Sequence, residues 1–373
     1  MIEFEDIDFR YINAEFIVTN CCNLCCDYCF ERQYISDHTK FGVLSFEDMC
    51  GYMDLIIQNR IARKIPYSLP SCINFFGGEP MLQWNNIVRL MEKYSEYKFF
   101  HYSIITNGLL ITKERLQRVK KFPILWQISL DSAVPVGNIY RFKDKSTECT
   151  NHVLQVIEWI LEEGFETPIV SSVIHDKSVK SMVETYHYFA ERRLPIKWQC
   201  MIERLGDQTG ILEEYNRQNL EILDLLVKNP FNIPMMWQNV IWYYQISKTR
   251  ESVSYEPTLT ESPSPNNLYV VAPNGKLYLS TNNVDMLDET PETTSIGELP
   301  NGVDKELVRN HPYLKALNKE ISPKCLDCPS FAVNPCCFEQ NFFLYPRQFL
   351  GNCNVFLSST YYALEFLRRR GEL

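Results

Sequence analysis

The chain has 373 residues, of which 45% are apolar and 22% are charged, and its net charge is −9 at neutral pH. This composition is typical of a globular protein with room for one large domain and a smaller one, and the negative charge argues against broad binding to nucleic acid or to an anionic membrane. The acidic N-terminus lacks the basic start of a secretory signal, and no apolar run approaches the length of a membrane span. We therefore expect a cytoplasmic protein.

Residues 14–205 alternate short apolar runs with longer amphipathic stretches. Six strands alternating with helices predict a parallel α/β sheet, and the number fits a partial (β/α)6 TIM-like barrel. The predicted strands are Glu15–Thr19, Cys72–Phe76, Tyr102–Thr106, Leu125–Leu130, Pro168–Val173 and Ile196–Met201. The predicted helices are Phe46–Asn59, Trp84–Tyr94, Lys113–Lys121, Val153–Glu163 and Ser178–Arg192.

The pattern changes after residue 205. Two helices are predicted at Ile211–Lys228 and Pro234–Lys248, and the Pro- and Ser-rich segment Thr258–Asn267 reads as a loop. Strands on either side of Pro273-Asn274-Gly275, at Leu268–Ala272 and Lys276–Ser280, predict a hairpin. The expected organisation is a core over 1–205, a helical linker region over 206–264, a smaller α+β domain over 265–357 and a C-terminal helix over 358–373, centred on Ser358–Arg370.

Ten of the fourteen cysteines fall into two groups, five between Cys21 and Cys29 and five between Cys325 and Cys353. Disulfides are rare in a cytoplasmic protein, so two groups of cysteines at opposite ends of the chain indicate two metal sites. None of the six histidines stands in a metal-ligand spacing.

In the first group, Cys22, Cys26 and Cys29 have the spacing C-x3-C-x2-C. Three such thiolates can ligate three irons of a [4Fe–4S] cluster and leave the fourth iron open to an outside ligand. Cys21 and Cys25 allow other registers, but none of them gives x3 followed by x2. A zinc knuckle and a run of buried thiols are the alternatives. The loop follows the first predicted strand, which places it at the carboxyl end of the sheet, where α/β folds bind ligands.

This cysteine loop and the turn Gly77-Gly78-Glu79-Pro80, after the second predicted strand, resemble the signature motifs of the radical SAM superfamily. The resemblance implies that S-adenosyl-L-methionine binds at the open iron and is reductively cleaved to a 5′-deoxyadenosyl radical. It also implies that Gly78 and Glu79 hold the methionyl amino group, since glycine lets the backbone approach a ligand and an acid accepts from an amine. A simple turn between strand and helix is the alternative.

Small polar residues at the ends of later strands resemble further motifs of that superfamily. Asn107 ends the third strand and Ser129 the fourth, and both are expected to bind the cofactor. Arg141 matches the arginine that reaches the cofactor carboxylate, with a solvated surface charge as the alternative. Tyr28 is expected to pack against adenine, or else to be an ordinary core aromatic, and Gln199–Ile202 are expected to border the adenine as well.

The hairpin, the segment Ser295–Leu299 and the cysteine-rich tail together resemble the SPASM extension of radical SAM enzymes that act on peptides and proteins. The resemblance implies one auxiliary [4Fe–4S] cluster, and spacing alone leaves a four-cysteine zinc site open. Ser280 and Gln340 stand where the family places ligands of a second, inner cluster, which we therefore expect to be missing. The expected ligands of the auxiliary cluster are Cys325, Cys328, Cys336 and Cys353, with Cys337 as the alternative to Cys336.

The resemblance implies a radical SAM enzyme that modifies peptides, with a cross-link in a ribosomally made peptide as the first expectation. Anaerobic sulfatase maturation, which forms formylglycine, is the second, and Thr281 counts against it because those enzymes place an acid there. Peptide epimerisation and a non-enzymatic iron–sulfur or zinc-binding protein are further alternatives. The sequence identifies no catalytic acid, base or hydrogen donor.

Three kinds of partner follow from this hypothesis. They are a peptide or protein substrate, a flavodoxin- or ferredoxin-like electron donor, and a separate leader-recognition protein. Only about fourteen residues precede the first predicted strand, too few for an N-terminal peptide-recognition domain, so leader recognition is expected to use either the core surface or this separate protein.

Overall fold

The computed structural model describes residues 11–29, 42–200, 208–228, 268–279, 294–311 and 360–373, together with a few residues between 230 and 245. The predicted helix Pro234–Lys248 lies mostly outside the described residues, and the loop Thr258–Asn267 lies wholly outside them. So do Ser280, Thr281, Gln340 and all five cysteines of the second group, Cys325, Cys328, Cys336, Cys337 and Cys353.

The described residues form ten strands and nine helices, numbered in chain order. The strands are β1 (Asn13–Thr19), β2 (Ser71–Gly77), β3 (Phe100–Thr106), β4 (Ile124–Ser129), β5 (Ile169–Ile174), β6 (Ile196–Cys200), β7 (Leu268–Val271), β8 (Lys276–Tyr278), β9 (Gly297–Glu298) and β10 (Gly302–Val303). The helices are α1 (Phe46–Ala62), α2 (Trp84–Lys93), α3 (Lys113–Val119), α4 (Ile139–Phe142), α5 (Ser146–Glu162), α6 (Met182–Glu191), α7 (Gln208–Lys228), α8 (Lys305–Asn310) and α9 (360–369).

Strands β1 to β6 lie side by side in chain order, and every neighbouring pair is parallel. Helices separate them along the chain, so the predicted α/β core with the topology of a partial barrel is confirmed. Local signals start two of these helices. Ser45 Oγ accepts a hydrogen bond from Asp48 N at the start of α1, and Thr112 Oγ1 accepts one from Arg115 N at the start of α3.

Alternate residues of the parallel strands are fully buried, as expected when one face of a sheet packs under helices. Phe16, Phe75 and Trp126 represent this face and belong to the large apolar core that the helices share. The opposite face carries polar side chains, including Glu15, with Asn74 next to it in register. The sheet therefore has an apolar side against the helices and a mixed side toward the interior of the partial barrel.

The strands after residue 265 extend the same sheet. Strand β7 pairs in parallel with β1, and β8, β9 and β10 continue the sheet beyond it through antiparallel pairs. The predicted hairpin is confirmed, with Val271 opposite Leu277 and a positive φ of 75° at Gly275 in the turn. Tyr11, just before β1, accepts a hydrogen bond at Oη from Val303 N in β10 at 2.8 Å.

The closing helix α9 packs on α7. Tyr362 Oη donates to Asn216 O at 2.8 Å, and Arg369 forms an ion pair with Asp224 at 2.6 Å. The predicted C-terminal helix thus occurs over 360–369. Within the described part of the chain, no helix is both long and apolar enough to cross a membrane.

Candidate functional site

The cysteine loop lies at the carboxyl end of β1, where it was expected. Backbone hydrogen bonds tie it to the turn after β2, because Gly78 N donates to Thr19 O and Glu79 N donates to Cys21 O, both at 2.8 Å. These bonds continue the pairing of β1 with β2 beyond the sheet. The two motifs singled out in the sequence are therefore one unit of structure.

Two glycines make this contact possible. Gly77 has a φ of 129°, and a Cβ there would overlap the carbonyl oxygen of Thr19. A Cβ on Gly78 would lie 2.7 Å from the carbonyl oxygen of Asn20 and closer still to that of Cys21. The structure shows that these glycines admit the backbone of the cysteine loop. That Gly78 also holds the methionyl amino group stays a prediction.

None of the five cysteines of the loop forms a disulfide within the described part of the chain. Cys26 is buried and Cys25 is exposed, while Cys22 and Cys29 are half-buried. Burial raises the pKa of the Cys26 thiol, and the nearby Arg141 opposes that shift. Among the described residues, no three His, Cys, Asp or Glu side chains form a group that could hold a metal ion as they stand, and the ligand set Cys22, Cys26 and Cys29 stays a prediction.

Glu79 is buried beside the loop, with both carboxylate oxygens engaged. Oε1 accepts from Thr106 Oγ1 at 2.6 Å and from Met81 N at 3.0 Å, and Oε2 accepts from Asn107 N at 2.8 Å. Burial raises the pKa of Glu79, while these hydrogen bonds and the charge of Arg141 work in the opposite direction. A fixed carboxylate in this position can accept from a cationic amine.

Asn107 links the third strand to the cysteine loop. Its Nδ2 donates to Asn23 Oδ1 at 2.7 Å, and its Oδ1 accepts from Leu109 N at 3.0 Å. Ser129, which lies opposite Ser171 at the end of β4, is half-buried. The structure therefore brings Glu79 and Asn107 together directly against the loop, with Ser129 at the end of a neighbouring strand.

Behind the loop, the fully buried carboxylate of Asp131 gathers four segments of the chain. Its Oδ1 accepts from Arg141 Nη2 and from Val173 N, both at 3.1 Å, and its Oδ2 accepts from Tyr28 Oη. Burial opposes ionisation of Asp131, but Arg141 in the first place, and then His175 and Tyr28, hold its pKa below the usual range.

His175 completes this cluster and was not predicted from the sequence. Its Nδ1 accepts from the backbone amides of Lys177 and Ser178 at 3.2 and 3.3 Å, which places the proton of the neutral ring on Nε2. That Nε2 lies 3.6 Å from Asp131 Oδ2, an electrostatic contact rather than a full hydrogen bond. The ring also lies 5.8 Å from that of Tyr28, between centroids.

The donor set suits an iron–sulfur cluster and a zwitterionic cofactor. Three cysteines that form no disulfide stand on one loop, and thiolates are the ligands that such clusters take. Next to them, Glu79 offers a carboxylate for an amino group. Only 8% of the Arg141 surface is exposed, and its Nε has no hydrogen-bond partner among the described residues. A buried cation with an unused donor suits an anionic ligand. The residues present therefore fit the cofactors that the motifs imply.

Comparison with known proteins agrees with this geometry. The family model of the radical SAM superfamily matches residues 16–189, which include the cysteine loop, the Gly-Gly-Glu-Pro turn, Asp131 and His175. The chain carries a radical SAM domain. The cofactors of that superfamily are a [4Fe–4S] cluster and S-adenosyl-L-methionine, as predicted.

Two curated relatives of this radical SAM domain act in different reactions, by their names. The radical SAM cyclopropyl synthase TigE of Paramaledivibacter caminithermalis is 29% identical over 185 residues, which are 47% of this chain and 36% of that protein. The serine-type anaerobic sulfatase-maturating enzyme of Bacteroides thetaiotaomicron is 23% identical over 176 residues, 46% of this chain and 41% of that protein. The matches thus span less than half of either relative.

One solved structure resembles nearly the whole chain. Native anSMEcpe with bound AdoMet and the Cp18Cys peptide superposes with a TM-score of 0.66 at 17% identity, over 96% of this chain and 97% of that one. At this identity the likeness concerns the fold. It extends past the radical SAM domain into the strands after residue 265.

No role for Asp131 or for His175 was predicted from the sequence. A signal for His175 was present, because the polar pair His175-Asp176 begins two positions after the end of the fifth predicted strand. The predicted ligand Tyr28 lies in the same cluster. Of Gln199–Ile202, only the strand position of the first two residues is described.

Proposed function

We propose that this protein is a radical SAM enzyme that modifies a peptide or protein by abstracting a hydrogen atom. When bound, the [4Fe–4S] cluster supplies the electron that cleaves S-adenosyl-L-methionine to a 5′-deoxyadenosyl radical. One observation supports the proposal most. The amides of Gly78 and Glu79 bind the cysteine loop, and the loop lies at the same end of the sheet as the fixed Glu79 carboxylate and the buried Arg141.

Each residue has a distinct role in this proposal. Cys22, Cys26 and Cys29 would hold the cluster, after side-chain rotation brings their thiols together. Glu79 would accept from the methionyl amino group, and Arg141 would donate to the carboxylate. Their fixed positions would orient the cofactor before reaction, which is the main contribution that a protein makes to cofactor chemistry.

Asn107 and Ser129 would contact the cofactor from the neighbouring strand ends. Tyr28 would hold the loop rather than cover adenine, because its hydroxyl is committed to Asp131 and its ring packs near His175. The polar interior face of the sheet, which includes Glu15 and Asn74, would receive the substrate.

A peptide substrate is favoured by the relatives and solved structures that this chain resembles. One relative is named a cyclopropyl synthase, and the solved neighbour holds a peptide beside AdoMet. We propose a cross-link in a ribosomally made peptide as the product, with a flavodoxin- or ferredoxin-like electron donor and a separate leader-recognition protein as partners. Formylglycine formation is the second candidate, favoured by the sulfatase-maturating relative and opposed by Thr281.

The first test is reductive cleavage of the cofactor. Anaerobically reconstituted protein with dithionite is expected to produce 5′-deoxyadenosine, and the triple variant Cys22→Ala, Cys26→Ala, Cys29→Ala is expected to produce none, because no other described thiol group leaves an open iron. Cys72→Ala, which changes an exposed thiol on β2, is the control and should retain activity. Product formation by the triple variant would contradict the assignment.

The second test identifies the reaction. Co-expression with a precursor peptide encoded nearby, followed by mass spectrometry, is expected to show a loss of two hydrogens for a cross-link. A sulfatase-derived peptide that gains an aldehyde instead would favour the second candidate.

A further inference from the structure

Asp131 occupies a position that no metal-binding or cofactor motif explains. It directly follows β4, and its side chain is fully buried. Its partners come from the cysteine loop (Tyr28), from α4 (Arg141) and from β5 and its end (Val173 and His175). We call these residues, with Asp131, the Asp131 cluster.

The backbone of Asp131 is itself held in place. Asn138 Oδ1 accepts from Asp131 N at 2.9 Å and from Ser132 N at 3.2 Å. The amide nitrogen of Asn138 donates to Ser132 O at 2.7 Å and to Thr150 Oγ1 at 3.0 Å. With its amide group bound on both sides, Asn138 leaves the carboxylate of Asp131 little freedom.

The carboxylate in turn fixes the plane of Arg141. A guanidinium group is flat and its five N–H donors point in set directions, so binding one nitrogen determines where the others point. Nη2 is bound to Asp131 at 3.1 Å, and the guanidinium carbon lies 5.7 Å from the centre of the Tyr28 ring. Nε has no partner among the described residues and stays available.

The charges of the cluster balance before any ligand binds. Asp131 carries a negative charge and Arg141 a positive one, and because His175 Nδ1 accepts two hydrogen bonds, its Nε2 is the protonated nitrogen that faces Asp131. The facing charged groups also include Asp176, whose Oδ1 lies 3.9 Å from His175 Nδ1, and Lys177, which pairs with Asp176. An anionic ligand that approaches Arg141 therefore meets a guanidinium group that is already oriented. Because Arg141 is also paired with Asp131, its attraction for the ligand is weaker than that of an unpaired cation.

We infer that Asp131 is a positioning residue of the cofactor site, which orients Arg141 toward the methionyl carboxylate and anchors the cysteine loop through Tyr28. This inference rests on the proposed function and deepens it. It assigns to Asp131 and His175 a role in recognising one part of the cofactor, the carboxylate, and leaves recognition of the nucleoside to other residues.

The experiment compares two unreactive ligands on the full-length reconstituted protein. S-adenosyl-L-homocysteine contains the carboxylate, whereas 5′-methylthioadenosine lacks it and keeps the nucleoside. Asp131→Asn is expected to weaken binding of the first ligand about tenfold or more, the usual scale for a hydrogen bond to a charged group, and that of the second less than twofold. Equilibrium dialysis gives both dissociation constants, and iron content is measured on the same samples.

Asp224→Asn is the matched control, because it breaks an exposed ion pair with Arg369 on the helices away from the loop. It should change neither affinity. A purely structural role for Asp131 would make Asp131→Asn lose affinity for both ligands equally, or for neither, and either result would overturn the inference.

His175→Gln is the second variant, used if Asp131→Asn does not fold. It removes the contact at 3.6 Å to Asp131 together with the ring nitrogen that accepts from Lys177 N and Ser178 N. We expect a loss of about threefold for S-adenosyl-L-homocysteine and none for 5′-methylthioadenosine. Equal effects on the two ligands would again overturn the inference. Failure of the proposed function would look different, because wild-type protein would then form no 5′-deoxyadenosine at all.

Discussion

Gly78 shows how the absence of a side chain can hold two motifs together. Its amide binds Thr19, and the space that a side chain would need is filled by the backbone of Asn20 and Cys21. A glycine beside a cysteine motif is easily taken for a ligand contact. Here its missing side chain lets the cysteine loop lie against the turn, and the amide of Glu79 then completes the attachment.

Gly78→Ala is therefore expected to displace the cysteine loop. The new methyl group meets backbone carbonyls, which cannot move aside as a flexible side chain could, so we expect a loss of about 1–3 kcal/mol in the free energy of unfolding. Iron content after reconstitution should fall with it. Chemical denaturation and iron analysis measure the two effects.

Gly51→Ala is the control for this prediction. Gly51 lies inside α1 with nothing within 4 Å of the position that a Cβ would take, so alanine should stabilise the helix by about 0.5–1 kcal/mol. Iron content should stay at the wild-type value. A normal iron content in Gly78→Ala would show that the loop tolerates displacement.

At the scale of elements, one tyrosine links the middle of the described sheet to its edge strand β10. Tyr11 precedes β1, and its hydroxyl accepts from the amide of Val303 in β10. Its ring also packs against that of Tyr269 in β7, with centroids 5.7 Å apart. Strands β7 to β10 are thus attached to the core by side-chain contacts as well as by the pairing of β7 with β1.

Tyr11→Phe should loosen this attachment. The change leaves the half-buried amide of Val303 without its acceptor, at a cost of about 1 kcal/mol. Hydrogen exchange over 297–303 should accelerate roughly fivefold, while exchange in β3 and β4 should not change. Tyr67→Phe, at an exposed tyrosine, is the control, and equal exchange in both variants would show that the bond contributes nothing.

Whether a feature could be predicted from the sequence depends on how far apart in the chain its interacting residues are. The six parallel strands and the turn at Gly275 were predictable because hydrophobic patterns and turn residues act over a few positions. The pairing of β7 with β1 was not, because it joins Asn13 to Leu268. The Asp131 cluster was missed for the same reason, since Tyr28 and Asp131 are 103 positions apart. The second cysteine group stays a prediction.

At the scale of the whole molecule, the two cysteine groups should give two clusters. We expect about eight irons per chain, since a [4Fe–4S] cluster holds four and the ligands of an inner cluster are missing. Cys353→Ala should lose about half of the iron and loosen the C-terminal region toward proteases, because metal ligation contributes to folding there. The activity that forms 5′-deoxyadenosine should persist without substrate turnover.

Cys149→Ala, at a half-buried thiol in α5, is the control and should keep all of the iron. Ser280→Ala should also keep it, because a hydroxyl is a poor iron ligand beside thiolates. A content near twelve irons, or stoichiometric zinc, would contradict the count.

The pairing of β1 with β7 has a consequence for the order of events on the ribosome. Strand β1 and the thiols that follow it are made first, yet the strand that covers the free edge of β1 is translated about 250 residues later. At elongation rates of about 5–20 residues per second, this gap lasts roughly 10 to 50 s. Throughout it the nascent chain exposes an open sheet edge, which is a template for aggregation, next to reactive cysteines. Chaperone capacity and the timing of iron delivery during synthesis should therefore govern the yield of this protein more than the stability of the finished fold.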